Sequence, residues 1–305
     1  MLLRPNSIAA SSLPQNPDFL VVLPLSDLHL PKPASEAILL NRAYLNRADF
    51  VVLLGDMVQC YGTDAEYEAV RQFIGALERP FTPVCGNHEW FFEEWSENSG
   101  IYGEIWAQAT EAQHEVKRRK FRDFYGVEPL YRAFDSPLGH FVFLSLDAVI
   151  GHKQECLSEA QLRFLEAEVA RAAQKPLFVF CHAPLMLRQR LAMVYYDEER
   201  TACVELSGAL REALETRAAP TFWMSGHIHL HPEHPLFAPY ECGAGVWQIH
   251  CPDSWGYGRW SLTQRVPARY DGLFSRHLAI DGRGVDFVTH DHQKQRDIAT
   301  FRVDF

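Results

Sequence analysis

The sequence lacks the marks of small secreted, disulfide-stapled and membrane-spanning proteins. Its 305 residues include seven cysteines, an odd number without any CxxC pair, so reduced thiols are expected rather than a disulfide framework. No apolar run reaches the roughly 18 residues of a membrane span. The first 18 residues contain Arg4 but no apolar stretch of signal-peptide length. We therefore expect a cytoplasmic protein that does not use a membrane as a partner.

Positive charge is scarce as well. The chain carries 29 basic and 39 acidic residues, a formal net charge of −10, which disfavours a general binder of nucleic acids or anionic membranes. A small anionic substrate is still compatible, because a local site can supply its own positive charge. Histidine is abundant, with 14 residues, and suggests metal or acid–base chemistry unless these residues are scattered structural ones.

Apolar runs of strand length alternate with helical patterns along much of the chain. Runs such as Phe19–Leu25 and Phe50–Leu54 are typical of strands buried on both faces of an α/β sheet. We predict an irregular arm over residues 1–18 and a single domain over residues 19–305. An aromatic and charged stretch over residues 90–129 interrupts the alternation and predicts a helical, cap-like insertion.

Three further predictions concern helices. The apolar stripe of Ala34–Ala48 predicts one helix, and a second is expected from Val204 to Arg217. The basic run Lys117–Lys120 is interpreted as the solvated face of a helix.

Polar motifs directly follow five of the predicted strands. Ligands of open α/β sheets bind beyond the carboxyl ends of the strands, so these motifs are expected to meet at one rim. Glycines within them would let the backbone turn sharply there. The motif residues are Asp27 and His29 in DLH, Asp56 in GD, Asn87, His88 and Glu89 in GNHE, the single His182, and His227 and His229 in GHIH.

The chemistry of these residues indicates a metal centre. Imidazole and carboxylate groups together suit Fe, Mn, Zn, Co or Ni, whereas Mg or Ca would prefer oxygen donors alone. Seven ligating side chains are too many for one ion. They suit two ions about 3.5–4 Å apart that share one carboxylate.

The order DxH, GD, GNHE, H and GHxH resembles that of the calcineurin-like metallophosphoesterases over residues 27–229. The resemblance implies a four-layer α/β/β/α sandwich that holds two divalent ions, either Mn, Fe or Zn. It also implies two ligand sets that share one bridging carboxylate. These sets are Asp27, His29, Asp56 and His229 for the first metal position, and Asp56, Asn87, His182 and His227 for the second.

Further roles come from the same resemblance. His88 resembles the family histidine that contacts the phosphate or protonates the leaving oxygen, and Glu89 would orient it. A hydroxide between the metals would be the nucleophile, and a neighbouring carboxylate would keep the His88 imidazolium populated. Arg259, in an aromatic and glycine-rich loop, could bind a phosphate oxygen. Asp147 could either support a metal-bound histidine or cap a turn.

At two positions the sequence differs from well-defined subfamilies of this family, which narrows the choice of subfamily. Gln59 stands where purple acid phosphatases have a tyrosine ligand, and Cys60 stands where protein serine/threonine phosphatases have an arginine. With those two subfamilies disfavoured, the motif pattern resembles that of the small bacterial phosphodiesterases of the cyclic-nucleotide and glycerophosphodiester type. The predicted function is therefore hydrolysis of a small phosphodiester. A phosphomonoesterase with the same centre, a nuclease and an inactive scaffold are the alternatives, and the oligomeric state is left open.

Overall fold

The computed structural model describes residues 18–32, 34–94, 107–186, 195–197, 200–234, 236–252 and 272–305. Within them the chain forms eighteen strands and six helices. The strands are β1 Phe19–Leu25, β2 Phe50–Leu54, β3 Phe81–Val84, β4 Arg132–Ser136, β5 Gly139–Leu144, β6 Ala148–Ile150, β7 Lys153–Cys156, β8 Leu177–Cys181, β9 Leu185–Met186, β10 Tyr195–Asp197, β11 Arg200–Thr201, β12 Val204–Glu205, β13 Thr221–Ser225, β14 Tyr240–Gly243, β15 Val246–His250, β16 Phe274–Asp281, β17 Gly284–Asp291 and β18 Arg296–Asp304. The helices are α1 Ala34–Leu40, α2 Arg42–Leu45, α3 Asp64–Leu77, α4 Glu111–Tyr125, α5 Glu159–Ala172 and α6 Gly208–Glu215.

Two six-stranded sheets organise the molecule. The first sheet has the order β18-β17-β16-β1-β2-β3, and the second has the order β14-β15-β13-β8-β5-β4. Strands β1, β2 and β3 are parallel neighbours in the first sheet. Strands β5, β8, β13 and β15 are parallel neighbours in the second. The parallel strands of each sheet therefore end at a common edge.

The two sheets face each other across an apolar core. Leu20 and Val22 of β1 belong to this core, which takes residues from strands of both sheets. The alternating residues Val21 and Leu23 belong instead to a second cluster, shared with helices α1 to α4. A third cluster joins the second sheet to helices α5 and α6. Helices therefore cover the outer face of each sheet, and the predicted α/β class is confirmed.

Two helices are shorter than predicted. The stretch Ala34–Ala48 divides into α1 and α2, because the Asn41 side chain accepts a hydrogen bond from the Tyr44 N–H and starts a new helix. Helix α6 begins only at Gly208, where the Ser207 side chain caps it, since β12 pairs with β9 just before it. The prediction of single, longer helices was wrong at both places.

Helix α4 is anchored by the basic run that was predicted to be solvated. Lys117 Nζ donates to the carbonyl of Phe92 (2.7 Å), and Lys120 Nζ donates to the carbonyl of Gly62 (2.8 Å). The guanidinium of Arg118 lies 5.0 Å from a ring of Trp90. The solvated interpretation was therefore wrong for Lys117, Arg118 and Lys120, whereas Arg119 is exposed as predicted. Residues 1–17 of the predicted arm and residues 95–106 of the predicted insertion lie outside the described residues.

None of the helices in the described ranges is long and apolar enough to cross a lipid bilayer. The cytoplasmic location and the limits of the domain and its insertion stay predictions.

Candidate metal centre

Strands β1, β2, β3, β8 and β13 bring the predicted site residues together beyond their carboxyl ends. In the described part of the chain, three groups of histidine and carboxylate side chains have ligand atoms within 4.8 Å of one another. These groups are Asp27, His29 and His229; His29, Asp56 and His88; and Asp56, His182 and His227. Asp56 belongs to two of them, as expected for a carboxylate between two ions.

The backbone is strained where it presents these side chains. Over the described ranges, seven non-glycine residues have a positive φ, and five of them are predicted metal ligands. Such left-handed conformations are uncommon for residues with a Cβ and concentrate at functional sites. The five residues are Asp27, His29, Asp56, His227 and His229, with φ between 46° and 67°.

Asn87, the seventh predicted ligand, follows β3 and is buried. Its Oδ1 atom accepts no hydrogen bond from any described residue, and an unsatisfied buried oxygen is unfavourable unless a cation or water meets it. Asp27 and Asp56 are also buried, 0% and 1% exposed. Two carboxylates, four imidazoles and an amide oxygen therefore fit the two divalent ions that the resemblance implies.

Two of the imidazoles are oriented by main-chain carbonyls. His182 Nδ1 lies 2.8 Å from the carbonyl oxygen of Leu54, and His29 Nδ1 lies 3.1 Å from that of Gln59. Because a carbonyl only accepts, the neutral form of each ring carries its proton on Nδ1 and offers a lone pair on Nε2. His29 Nε2 faces His229 Nε2 at 3.4 Å, which suits two rings that share an ion.

A third imidazole is oriented by a residue that sequence reasoning missed. His227 Nε2 is 2.8 Å from Oε1 of Glu155 on β7, and the His227 main-chain N–H donates to Asp27 Oδ2 (3.1 Å). Ser26, also missed, donates its hydroxyl hydrogen to Asp27 Oδ2 (2.5 Å). Glu155 belongs to no strand-end motif, so the sequence carried no signal for it.

The buried ionisable groups of the site shift one another's pKa values. Burial alone would raise the pKa of Asp56, but His182, His88 and His29 outweigh it and hold that pKa well below its usual range. Burial lowers the pKa of His182, yet Asp56 Oδ2, 3.0 Å from its Nε2, raises the pKa to about 10. Burial also lowers the pKa of His29, and the rings of His88 and His229 lower it further.

His88 lies beside the predicted ligands without being one of them. Its ring is 4.6 Å from the ring of His29, edge to face, and its Nε2 is 3.8 Å from Asp56 Oδ2. Burial lowers the pKa of His88, and Asp56 raises it without outweighing burial and the nearby His229 and His182. In the metal-free protein, the balance of these effects on the pKa of His88 therefore runs against the expected imidazolium.

Glu89 does not orient His88 in the way that was predicted. Its carboxylate accepts hydrogen bonds from the main-chain N–H groups of Gly86 (2.8 Å), Asp56 (3.0 Å) and Met57 (2.7 Å). Among the described contacts none joins it to the His88 ring. Burial and the charge of Asp56 raise the pKa of Glu89 to about 7. Glu89 holds the loops after β2 and β3 together instead.

The remaining predicted residues have simpler outcomes. Asp147 Oδ1 accepts from the Ser158 N–H (2.7 Å) at the start of α5, a contact with a helix start eleven residues along the chain rather than with a candidate metal ligand. Gln59 is exposed and Cys60 is half-buried. Cys60 belongs to none of the groups of candidate ligands found among the described residues. Arg259 lies outside the described residues.

Comparisons with known proteins agree with this geometry. The sequence model of the family "calcineurin-like phosphoesterase" matches residues 20–231. A curated relative, the glycerophosphodiester phosphodiesterase GpdQ of Enterobacter lignolyticus (strain SCF1), is 29% identical over 140 residues, which are 45% of this chain and 42% of the relative. The match thus spans less than half the length of that relative.

Solved structures share the fold at low sequence identity. A purple acid phosphatase, PPD1, from yellow lupin (Lupinus luteus) seeds has a TM-score of 0.57 at 13% identity, over 98% of this chain and 55% of that one. GAP50, the anchor in the inner membrane complex of Plasmodium, has a TM-score of 0.55 at 12% identity, over 94% and 89%. The family match covers more than half of the residues and includes every strand-end motif. The chain therefore belongs to the calcineurin-like phosphoesterase family.

Proposed function

We propose that the protein hydrolyses a small organic phosphodiester with the help of two divalent ions. The observation that carries the proposal is that six of the seven predicted ligands lie in groups of neighbouring ligand atoms, with Asp56 in two of the three groups. The seventh, Asn87, is buried with an Oδ1 atom that accepts no hydrogen bond from a described residue. Bound ions of this kind neutralise phosphate charge and stabilise the attacking and leaving oxygens of an in-line displacement. The mixed imidazole and carboxylate donors favour Mn, Fe or Zn.

The protein's own residues hold this centre and the substrate. Leu54 and Gln59 fix two ligand rings through their carbonyls, and Glu89 holds the loops that carry the ligands. His88 adjoins Asp56 and His29, so its ring can hydrogen-bond a phosphate oxygen or pass a proton to the leaving oxygen.

The diester is preferred to the monoester because the curated relative that matches is a glycerophosphodiester phosphodiesterase. A phosphomonoesterase is the second candidate, since the fold is shared with a purple acid phosphatase.

A rate comparison decides between the two. The protein, loaded in turn with Mn, Fe, Zn and Mg, is assayed on an aryl phosphodiester and on the matching aryl phosphomonoester. We expect a higher kcat/KM for the diester. A much faster monoester would overturn the proposal and favour the second candidate. Cyclic nucleotides and glycerophosphodiesters then identify the substrate class.

Two more distant functions are tested at the same time. Digestion of plasmid and single-stranded DNA or RNA tests a nuclease, which the net charge of −10 disfavours. An inactive scaffold would bind no metal and hydrolyse none of these esters.

A further inference from the structure

Glu155 is a buried carboxylate that supports the candidate metal centre from outside its motifs. It lies on β7, in the hairpin that β6 and β7 form, and is 2% exposed. Its Oε1 atom is 2.8 Å from His227 Nε2. No lysine or arginine among the described residues forms an ion pair with it. A buried carboxylate without a cationic partner is unfavourable, so Glu155 depends on His227 and on what His227 binds.

Glu155 lies behind His227 rather than beside the ions. None of the groups of candidate ligands found in the described ranges includes it, although His227 belongs to one. A carboxylate can only accept a hydrogen bond, so His227 Nε2 carries the proton. The lone pair for an ion is then on Nδ1, the opposite nitrogen to the one that His29 and His182 offer.

The two metal positions also differ in charge. The first position has two carboxylates, Asp27 and Asp56, whereas the second has only the shared Asp56 beside neutral donors. Glu155 brings a second carboxylate to within one imidazole ring of that second position. Carboxylates in this place fix the tautomer of a ligating imidazole and make it a stronger donor.

We propose that Glu155 is a positioning residue that makes the second metal position bind tightly. It orients His227, fixes the proton on Nε2 and supplies the negative charge that the second ligand set lacks. This inference rests on the proposed function, because it takes His227 as a metal ligand.

The test measures metal affinity rather than turnover. Metal-free wild type, Glu155→Ala and Glu155→Gln are titrated with cobalt(II), followed by absorption spectroscopy and calorimetry, and bound metal is counted by elemental analysis. Wild type is expected to bind two equivalents. In Glu155→Ala the second equivalent should bind about 10–100-fold more weakly. Glu155→Gln keeps the acceptor but loses the charge, so its affinity should fall between the other two.

A matched control separates this role from a general loss of stability. Glu168 forms a similar buried pair with His140 Nε2 (2.6 Å), but His140 is near the amino end of β5, away from the rim. Glu168→Ala should therefore bind two equivalents normally. Equal loss of metal in the Glu155→Ala and Glu168→Ala variants would overturn the positioning role.

The remaining outcomes are also distinguishable. If Glu155→Ala fails to fold, Glu155→Gln alone decides, and wild-type affinity for the second equivalent in that variant overturns the inference. If wild type itself binds fewer than two equivalents, the proposed function fails. If wild type and both Glu155 variants bind two equivalents equally tightly, only the role of Glu155 fails.

Discussion

At the scale of single residues, Asp56 is where the two candidate metal positions meet. Its Oδ1 accepts the main-chain N–H of His88 (2.9 Å), and its Oδ2 lies 3.0 Å from His182 Nε2. The residue is 1% exposed and has a φ of 52°. One strained, buried carboxylate thus holds the loop after β3 while facing the imidazoles of both sheets.

His88 supplies the first residue-scale prediction. Its ring adjoins the ligands but is not in the predicted set, so His88→Ala should retain both metal ions. Catalysis should fall by roughly 10²–10⁴-fold, the usual contribution of a positioned acid or base. Elemental analysis and kcat on an aryl phosphodiester check this. Full activity would remove His88 from the mechanism, and loss of one metal equivalent would make it a ligand.

The residue scale also shows what the sequence could predict. The clustering of the candidate ligands could be predicted because they follow buried strands, and parallel strands end at a common edge of a sheet. Glu155 could not, since its role depends on how the β6–β7 hairpin brings it to His227, a contact between residues far apart in sequence. Glu89 was given the wrong contact, because spacing does not reveal which N–H groups a buried carboxylate meets.

At the scale of elements, the loop after β13 brings the two sheets into contact. Gly226 donates its N–H to the His182 carbonyl (2.9 Å). A Cβ at Gly226 would overlap Ser26 Oγ and Asp27 Oδ2, which follow β1 of the other sheet. The absence of a side chain, and not a positive φ, is therefore what this position requires.

Gly226→Ala tests that requirement. Overpacking of this kind should lower the free energy of unfolding by about 1–3 kcal/mol and displace Asp27, measured by urea unfolding and metal content. Gly208→Ala is the control, because a Cβ there meets no heavy atom within 4 Å and its effect should stay within about 0.5 kcal/mol. Equal stability of the two variants would contradict the close approach of Gly226 to Ser26 and Asp27.

A second cluster of histidines ties the β16–β17 hairpin to helix α2. Tyr44 Oη is 2.9 Å from Ser275 Oγ and 3.0 Å from His277 Nδ1, and His292 Nε2 is 2.9 Å from Ser275 Oγ. The Tyr44 ring stacks on His290 at 3.9 Å, whose Nδ1 is 2.7 Å from Asp297. These histidines are structural, so histidine abundance has a second cause besides metal binding.

This histidine cluster predicts sensitivity to acid. Burial lowers the pKa of His277 to about 4 and that of His292 to about 3, whereas an unfolded histidine titrates near 6.5. The stability contributed by the neutral rings is complete above pH 6.5 and is lost as pH falls toward the folded values. As pH falls, each ring should lower the free energy of unfolding by up to about 1.4 kcal/mol per pH unit.

Urea unfolding between pH 7.5 and pH 4.5 checks this prediction. The double variant His277→Gln, His292→Gln should lose less stability on acidification than wild type, whatever its stability at pH 7.5. Identical slopes in the two proteins would contradict the assignment.

At the scale of the whole molecule, the net negative charge of the chain is compatible with an anionic substrate at the candidate site. The chain carries a formal charge of −10, and two divalent ions would add about +4 at one rim. An acidic protein can thus have one electropositive place, suited to a small phosphoester and not to a polyanion. The α/β class could be predicted from the buried strands, and the pair of sheets only from the family resemblance, whereas helix breaks and the anchoring of α4 depend on tertiary contacts.

The most direct test of the shared metal centre is the metal content of wild type beside that of Asp56→Asn. Both proteins are loaded with Mn, Fe or Zn, freed of excess metal by gel filtration, and analysed by elemental analysis. Wild type should retain two ions per chain, and Asp56→Asn should lose occupancy at both positions, because one carboxylate serves each. Wild type with fewer than two ions, or Asp56→Asn with two, would contradict the centre proposed here.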